Sequence, residues 1–202
     1  MKNIITLFLF ALSFNCKAQS PVIDIMNLQQ KIQDIPGAYH KDTQNLLNPF
    51  EGTYLYTNGN TSFKIVFQKK IMSSRSNGYL FEDLLIGEYQ YIENGLEKVN
   101  TLPKLNINYS NKHKHSISTN HIIMPGNVGC EDCVAGEKAL YGGLVDGASD
   151  NTARFIIRRI TVNGQPAIKV HIGWRYREHV VGTPEGPHAS IPGGDYVLIK
   201  QN

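Results

Sequence analysis

The sequence predicts an all-β fold: an antiparallel meander closed as a barrel or sandwich, with a short N-terminal helix or leader. Three observations carry this. Four Asn-Gly pairs, Asn58-Gly59, Asn77-Gly78, Asn94-Gly95 and Asn163-Gly164, sit between stretches rich in aromatic and β-branched residues. A two-residue turn that follows strand twist needs positive φ, which Asn tolerates and Gly adopts freely, so each pair reads as a hairpin corner. Strand-like stretches recur at short intervals along the rest of the chain, and no βαβ alternation appears. With 41% hydrophobic, 9% aromatic and 18% charged residues, the composition excludes a disordered tail, a collagen-like repeat and a coiled coil.

From the amino end, Met1-Lys2-Asn3 is a short positive start, Ile4 to Phe14 is an apolar run broken only by Thr6 and Ser13, and Cys16-Lys17-Ala18 offers a small residue at the cut. That pattern predicts a secretory signal peptide over 1–18. The run is too short to span a bilayer, which takes about 20 residues, and no later segment approaches that length. Cleavage after Ala18 discards Cys16; cleavage before Cys16 leaves a cysteine for a lipid anchor. Residues 19–48 read as a leader, in which Ile25, Leu28, Ile32 and Ile35 recur at helical spacing before Pro36-Gly37 stops them. Residues 49–202 read as one β domain. Its first four strands, Gly52 to Thr57, Thr61 to Met72, Tyr79 to Ile92 and Leu96 to Leu102, form a meander. Strands are also expected at Leu105 to Tyr109, Ser116 to Met124, Arg154 to Val162, Ala167 to Tyr176 and Asp195 to Gln201. Between Pro125 and Thr152 the pattern dissolves into glycines, two cysteines and a loose apolar run from Ala139 to Val145, and no element is assigned.

The Asn163-Gly164 corner fixes a register. It pairs Val162 with Gln165, Arg159 with Ile168, Ile157 with Val170 and Phe155 with Ile172. One face then collects Phe155, Ile157, Ile168, Val170, Ile172, Trp174 and Tyr176, the core side. The other collects Arg154, Ile156, Arg158, Lys169, His171, Arg175 and Arg177. Arg158 lies directly across from Lys169, a repulsion that an anion, a carboxylate or solvent must relieve. This cationic face either binds an acidic polysaccharide, lipid headgroup or protein surface, or is a solvated outer face. The whole chain is close to neutral: its net charge is +3, and Lys2 and Lys17 contribute two of those charges. A global footprint for nucleic acid is therefore missing, and no nucleic-acid partner is expected.

Cys130 and Cys133 form C-x-x-C. A redox dithiol needs a helix amino terminus to lower the pKa of the first thiol, and the glycines at 136, 142 and 143 offer none. A zinc half-site lacks a second closely spaced ligand pair, although His121, His179 and His188 are candidates. A local disulfide in an oxidising compartment is the preferred reading. His113 and His115 flank Lys114, beside Lys112, cations that oppose a bound metal. No metal or other cofactor is expected. Glu82-Asp83 and Glu131-Asp132 would point to opposite faces of a strand and form no acid/base pair by themselves. No G-x-S-x-G elbow, phosphate-cradling loop or H-E-x-x-H occurs. The aromatics Tyr54, Tyr56, Phe63, Phe67, Tyr89, Tyr91 and Trp174 either line a ligand cavity or fill the barrel.

Phe50-Glu51-Gly52-Thr53-Tyr54 resembles the F-x-G-x-W opening of lipocalin-like barrels, with Tyr54 in place of Trp. The end, Ile191-Pro192 leading into Tyr196-Val197-Leu198-Ile199-Lys200, resembles the closing strand of small lipocalin-like domains, with Lys200 near where an Arg would pack. The arrangement Gly37-Ala38-Tyr39, Asp42-Thr43, Pro49-Phe50, Asp83 to Gly95 and Asn100-Thr101-Leu102 is similar to an uncharacterised secreted or lipoprotein family of Gram-negative bacteria, a domain of unknown function. The resemblance implies a lipocalin- or calycin-like fold and a place outside the cytoplasm, periplasmic, outer-membrane-attached or extracellular.

The expected role is a non-catalytic extracytoplasmic binding protein. It holds a small apolar ligand through Tyr54, Tyr56, Phe63, Tyr89, Tyr91 and Trp174, or recognises an envelope or extracellular partner through Arg154, Arg158, Lys169, Arg175 and Arg177. One alternative is an enzyme with a site assembled from strand ends and the 179–195 loop carrying His179 and His188. Another is a structural envelope lipoprotein tethered through Cys16.

Overall fold

A computed structural model describes residues 20–27, 32–75, 78–175 and 188–202. The segment 1–18 expected to be a signal peptide, with Cys16, and Leu28, Asn77, Tyr176, Arg177 and His179, lie outside the described residues. Among the described residues eleven strands form one sheet: β1 (Val22–Asp24), β2 (Ala38–Lys41), β3 (Gly52–Asn58), β4 (Thr61–Arg75), β5 (Leu80–Glu93), β6 (Leu96–Asn100), β7 (Ile117–Ile123), β8 (Ala139–Val145), β9 (Thr152–Val162), β10 (Gln165–Trp174) and β11 (Gly194–Lys200). Neighbours run β5-β4-β3-β11-β10-β9-β8-β7, and β7 returns to β5 through Leu85↔Thr119, Ile86↔Ser118 and Gly87↔Ile117. These eight strands close an antiparallel barrel, leaving no barrel strand with an open edge along its whole length.

The corners are where their chemistry puts them. Asn94 and Gly95 both take positive φ, as do Asn163 and Gly164, the geometry of a turn that matches strand twist. At the first corner Asn58 pairs with Thr61, so the turn is Gly59-Asn60, with positive φ at Gly59 and not at Asn60. The β9–β10 register is the one expected, from Val162↔Gln165 through Arg158↔Lys169 to Phe155↔Ile172.

Side chains alternate in and out along each barrel strand. Tyr54, Phe63, Ile65, Phe67, Leu85, Tyr89, Tyr91, Phe155, Ile157, Ile168, Val170, Ile172 and Leu198 point inward and form one contiguous core. Phe63 meets Tyr89, Tyr91 and Tyr196 edge-on, and Tyr54 meets Phe67 the same way. Gly87 makes room for this: a Cβ there would stand 2.7 Å from the Phe67 ring, its partner across β4–β5.

Strand β5 is buried almost throughout because both its edges and its outer face are covered. One edge pairs with β4; the other pairs in turn with β2, β7 and β6. Its outward glutamates are covered by the 101–116 segment, which sends His113 to Glu82 and His115 to Glu88.

One expectation is corrected and two stretches left open by the sequence take a definite form. The 105–109 stretch is no strand: a 3-10 turn over Leu102–Asn106, started by Pro103, occupies its beginning. The Ala139–Val145 run is a full barrel strand, in which Gly142 lets the bulge at Thr119 approach, since a Cβ would lie 2.7 Å from the Thr119 Cβ. The leader, for which a short helix was one of two readings, contains strands β1 and β2 and a 3-10 turn at Ile32–Asp34. These two strands pair in parallel with each other and with β5, outside the barrel. The leader is held by buried carboxylates. Asp83 accepts from the Tyr39 hydroxyl at 2.5 Å and from the Asp42 and Met72 amides at 3.0 and 2.9 Å; Asp42 accepts from Leu46, Leu47 and the Lys69 ammonium. Burial, reinforced by Asp83, pushes the Tyr39 phenol up to about 12.

Candidate functional site

The register of β9 and β10 dictates the site. Outward positions on these strands carry Arg154, Ile156, Arg158, Lys169, His171 and Gly173. The segment following β7 folds back over them, seated by Cys130, which packs with Ile123, Ala139 and Ile156. Gly129, at positive φ, lies directly on Ile156: a Cβ at that position would come within 2.2 Å of the isoleucine Cδ1. Cys130 and Cys133 are joined as a disulfide. Between this loop and the strands runs a groove of about 490 Å³. Ile156 and Trp174 give it apolar surface, and Arg154, Lys169, His171 and Arg175 give it cationic surface.

Carboxylates relieve the Arg158–Lys169 opposition. Arg158 donates to both oxygens of Glu137 at 2.7 and 3.0 Å and to Asp132 at 2.5 Å. Its hydrogen bonds to Glu137 and then Asp132 push the guanidinium pKa up and hold both carboxylates below their usual range. Lys169 pairs with Asp195 at 3.0 Å, and His171 Nδ1 lies 2.7 Å from the other oxygen of Asp195. The His171 contact is the first cause, and Lys169 a further one, keeping the Asp195 carboxyl low. Arg158 is thus the clasp of the disulfide loop.

Arg154 and Arg175 differ from these. Both are exposed, and neither has a carboxylate partner among the described residues. Arg154 stands opposite Gly173, while the Arg175 amide bonds to the carbonyl of Thr152. The two arginines are therefore diagonal neighbours on one face, with the His171 ring beside them: a Cβ at Gly173 would stand 3.5 Å from its Nε2. Trp174 is half-buried and donates its indole N–H to the Ile191 carbonyl at 2.8 Å.

Of the aromatics singled out in the sequence, Tyr54, Phe63, Tyr89 and Tyr91 are buried in the barrel core, with Tyr56 half-buried against it at the Tyr196 ring. Trp174 alone of this set reaches the outer groove. Burial pushes the Tyr54, Tyr89 and Tyr91 phenols up. Lys200 Nζ stands 5.8 Å from the centre of the Tyr54 ring, and the two residues are cross-strand partners. Among the described residues no group of three or more His, Cys, Asp or Glu side chains is placed to hold a metal ion. No helix among them is long and apolar enough to cross a membrane.

Sequence reasoning found the cationic side of the groove and missed its acidic side. Glu137 and Asp195 sit 21 and 24 residues from the partners they bind. The available signal was the Arg158–Lys169 opposition itself, which demanded carboxylates from elsewhere in the chain.

The chain matches, over residues 1–201, a family described as of unknown function, DUF6705. No curated protein matches it. No solved structure matches it.

Proposed function

Because the chain belongs to a family of unknown function, we propose its role from its own surfaces: an extracytoplasmic binding protein that captures an anionic group in the groove over β9 and β10. The observation that carries this is the Arg154–Arg175 pair, two diagonally placed arginines left over, among the described residues, after Arg158, Lys169 and His171 are matched to carboxylates. A guanidinium pair is suited to the planar, paired oxygens of carboxylate, sulfate or phosphate. The neighbouring Ile156 and Trp174 surface favours a ligand with an apolar part beside its charge. Export is supported by the apolar start of the chain and by the Cys130–Cys133 disulfide, a bond that persists in oxidising compartments. A ligand held inside the barrel is supported less well, since Phe63, Tyr89 and Phe67 fill that space with edge-on ring contacts.

Trp174 is the only tryptophan in the chain, so its fluorescence reports on the groove directly. Titration with octyl phosphate should give a saturable change that weakens as salt is raised, and octyl glucoside should give none. Arg154→Ala and Arg175→Ala should each raise the Kd about tenfold, the effect of losing roughly 1.5 kcal/mol of charge-assisted hydrogen bonding. Equal binding of the two amphiphiles, or indifference to both substitutions, defeats the proposal. Mass spectrometry of the mature amino terminus from the native host tests export separately: an intact Met1 in the cytoplasmic fraction counts against it.

A further inference from the structure

On the other side of the barrel closure, three residues from different elements form a hydrogen-bonded chain. Ser118, on the outer face of β7, has its Oγ 3.1 Å from Nδ1 of His113. Nε2 of the same imidazole lies 2.6 Å from Oε1 of Glu82, on β5. The second oxygen of Glu82 accepts from the Asn120 amide at 3.1 Å, with Arg75 at 3.8 Å, and the glutamate is only 3% exposed. As an ionised carboxylate Glu82 can only accept, so the facing Nε2 carries a hydrogen. In the neutral ring Nδ1 is then the bare acceptor, and the Ser118 hydroxyl must donate to it. That is the ordering of a nucleophile, its base and the group that orients the base.

The chain opens to substrate. Ser118 and His113 line a groove of about 440 Å³ together with Gly142, Gly143 and Arg175. Gly143 is the cross-strand partner of Ser118, and a Cβ there would meet nothing within 4 Å. Arg175 lines this groove as well as the one over β9 and β10, so the groove beside Ser118 carries a positive charge on its wall. His113 is held from both sides: its own backbone N–H donates to the Asn111 side chain, and the ring lies between Ser118 and Glu82.

The geometry points to Ser118 as an activated nucleophile for acyl transfer from carboxylic esters. The Ser118 Oγ forms a bond to the acyl carbon as its proton passes to His113 Nδ1. The ester C–O bond breaks, and the alkoxide leaves with that proton. Water, deprotonated by His113, then cleaves the acyl-serine to release the acid and restore the hydroxyl. This activity shares the groove-lining Arg175 with the anion-binding reading but uses neither Arg154 nor Trp174.

The test is a fluorophosphonate probe on the full chain, with peptide mass spectrometry to locate the adduct, alongside release of nitrophenol from p-nitrophenyl acetate. The expected result is one adduct, on Ser118, and ester turnover that Ser118→Ala abolishes. His113→Ala should lower both rates at least about 100-fold, within the range attributed to a positioned base. Glu82→Gln should slow both, while its unfolding midpoint reports whether the fold survives. Ser118→Cys keeps a nucleophile on the same backbone and should regain acylation by the ester, so loss of fold in one variant does not decide the matter. The proposal is overturned by a folded protein that takes no adduct at Ser118, by an adduct whose rate is indifferent to His113→Ala, or by an adduct without ester turnover. Octyl phosphate binding is unaffected by any of these outcomes, so failure here and failure of the anion site are distinguishable.

Discussion

Glu88 shows how closely the barrel's outer wall is specified. Its carboxylate is wholly buried; Oε1 receives His115 Nδ1 at 2.9 Å and the Ser116 amide at 3.2 Å, while Oε2 has no hydrogen-bond partner among the described residues. A carboxylate out of water is tolerated only with such partners, and removing one strands the other. His115→Ala should therefore cost about 3 kcal/mol in urea unfolding, and His115→Ala with Glu88→Gln should cost less than the two changes summed. A single variant within about 0.5 kcal/mol of the parent, the ordinary scatter of surface changes, defeats this account. Gly87 is the inward counterpart. A methyl at 87 collides with the Phe67 ring at 2.7 Å, so Gly87→Ala should destabilise by about 1–3 kcal/mol through overpacking. Phe67→Leu in the same chain should recover part of that loss, and no recovery means the cost has another origin.

At the scale of elements, the loop after β7 is an attachment rather than part of the barrel. It is seated by Cys130 on Ile156 and clasped by Arg158 to Glu137 and Asp132. Both carboxylates have folded pKa values depressed by Arg158. Groups of that kind stabilise above their unfolded pKa, and the contribution is lost as pH falls through the folded value. Hydrogen exchange in residues 126–137 should accelerate below the usual carboxylate range while β9 and β10 stay protected, and Arg158→Ala should give the same pattern at neutral pH. Equal acceleration across the strands would mean the loop and barrel open together. This division also explains what was legible in the sequence. The hairpins at Asn94-Gly95 and Asn163-Gly164, and the in/out register of β9 and β10, follow from local turn chemistry and alternation. Strand β8 was hidden because Gly142-Gly143 breaks its pattern, and only the bulge at Thr119 on a neighbouring strand explains Gly142. The serine of the Ser118–His113–Glu82 chain was invisible for a similar reason: it carries no local motif, and closure of β7 onto β5 creates its surroundings.

At the scale of the whole molecule, a barrel is as stable as its ends. Tyr89 reaches from β5 to one of them, donating its hydroxyl to the Val145 carbonyl at 3.1 Å and accepting the Gly147 amide at 3.0 Å. Beside it Asp146, with no solvent exposure, accepts from the Ser190 amide at 2.8 Å and the Ser149 hydroxyl at 2.6 Å, and bonds the Ser190 hydroxyl as well. This carboxylate ties the 188–192 segment, whose Ile191 lies in the core, to the turn after β8. Burial alone would raise its pKa, but the hydrogen bonds from Ser149 and Ser190 outweigh that and hold it below the ordinary aspartate value. The contribution is therefore complete above the unfolded pKa of about 3.9 and lost as pH falls through the lower folded value. Asp146→Asn keeps the shape but replaces one acceptor oxygen with a donor facing other donors, so it should lower stability by about 2 kcal/mol at neutral pH. The penalty should shrink in acid, where the parent's own carboxyl takes a proton. Unfolding midpoints of both proteins between pH 7 and roughly pH 3, a window set by that carboxylate titration, check this. A penalty independent of pH would show that Asp146 fills space at the barrel end without anchoring the segment by its charge.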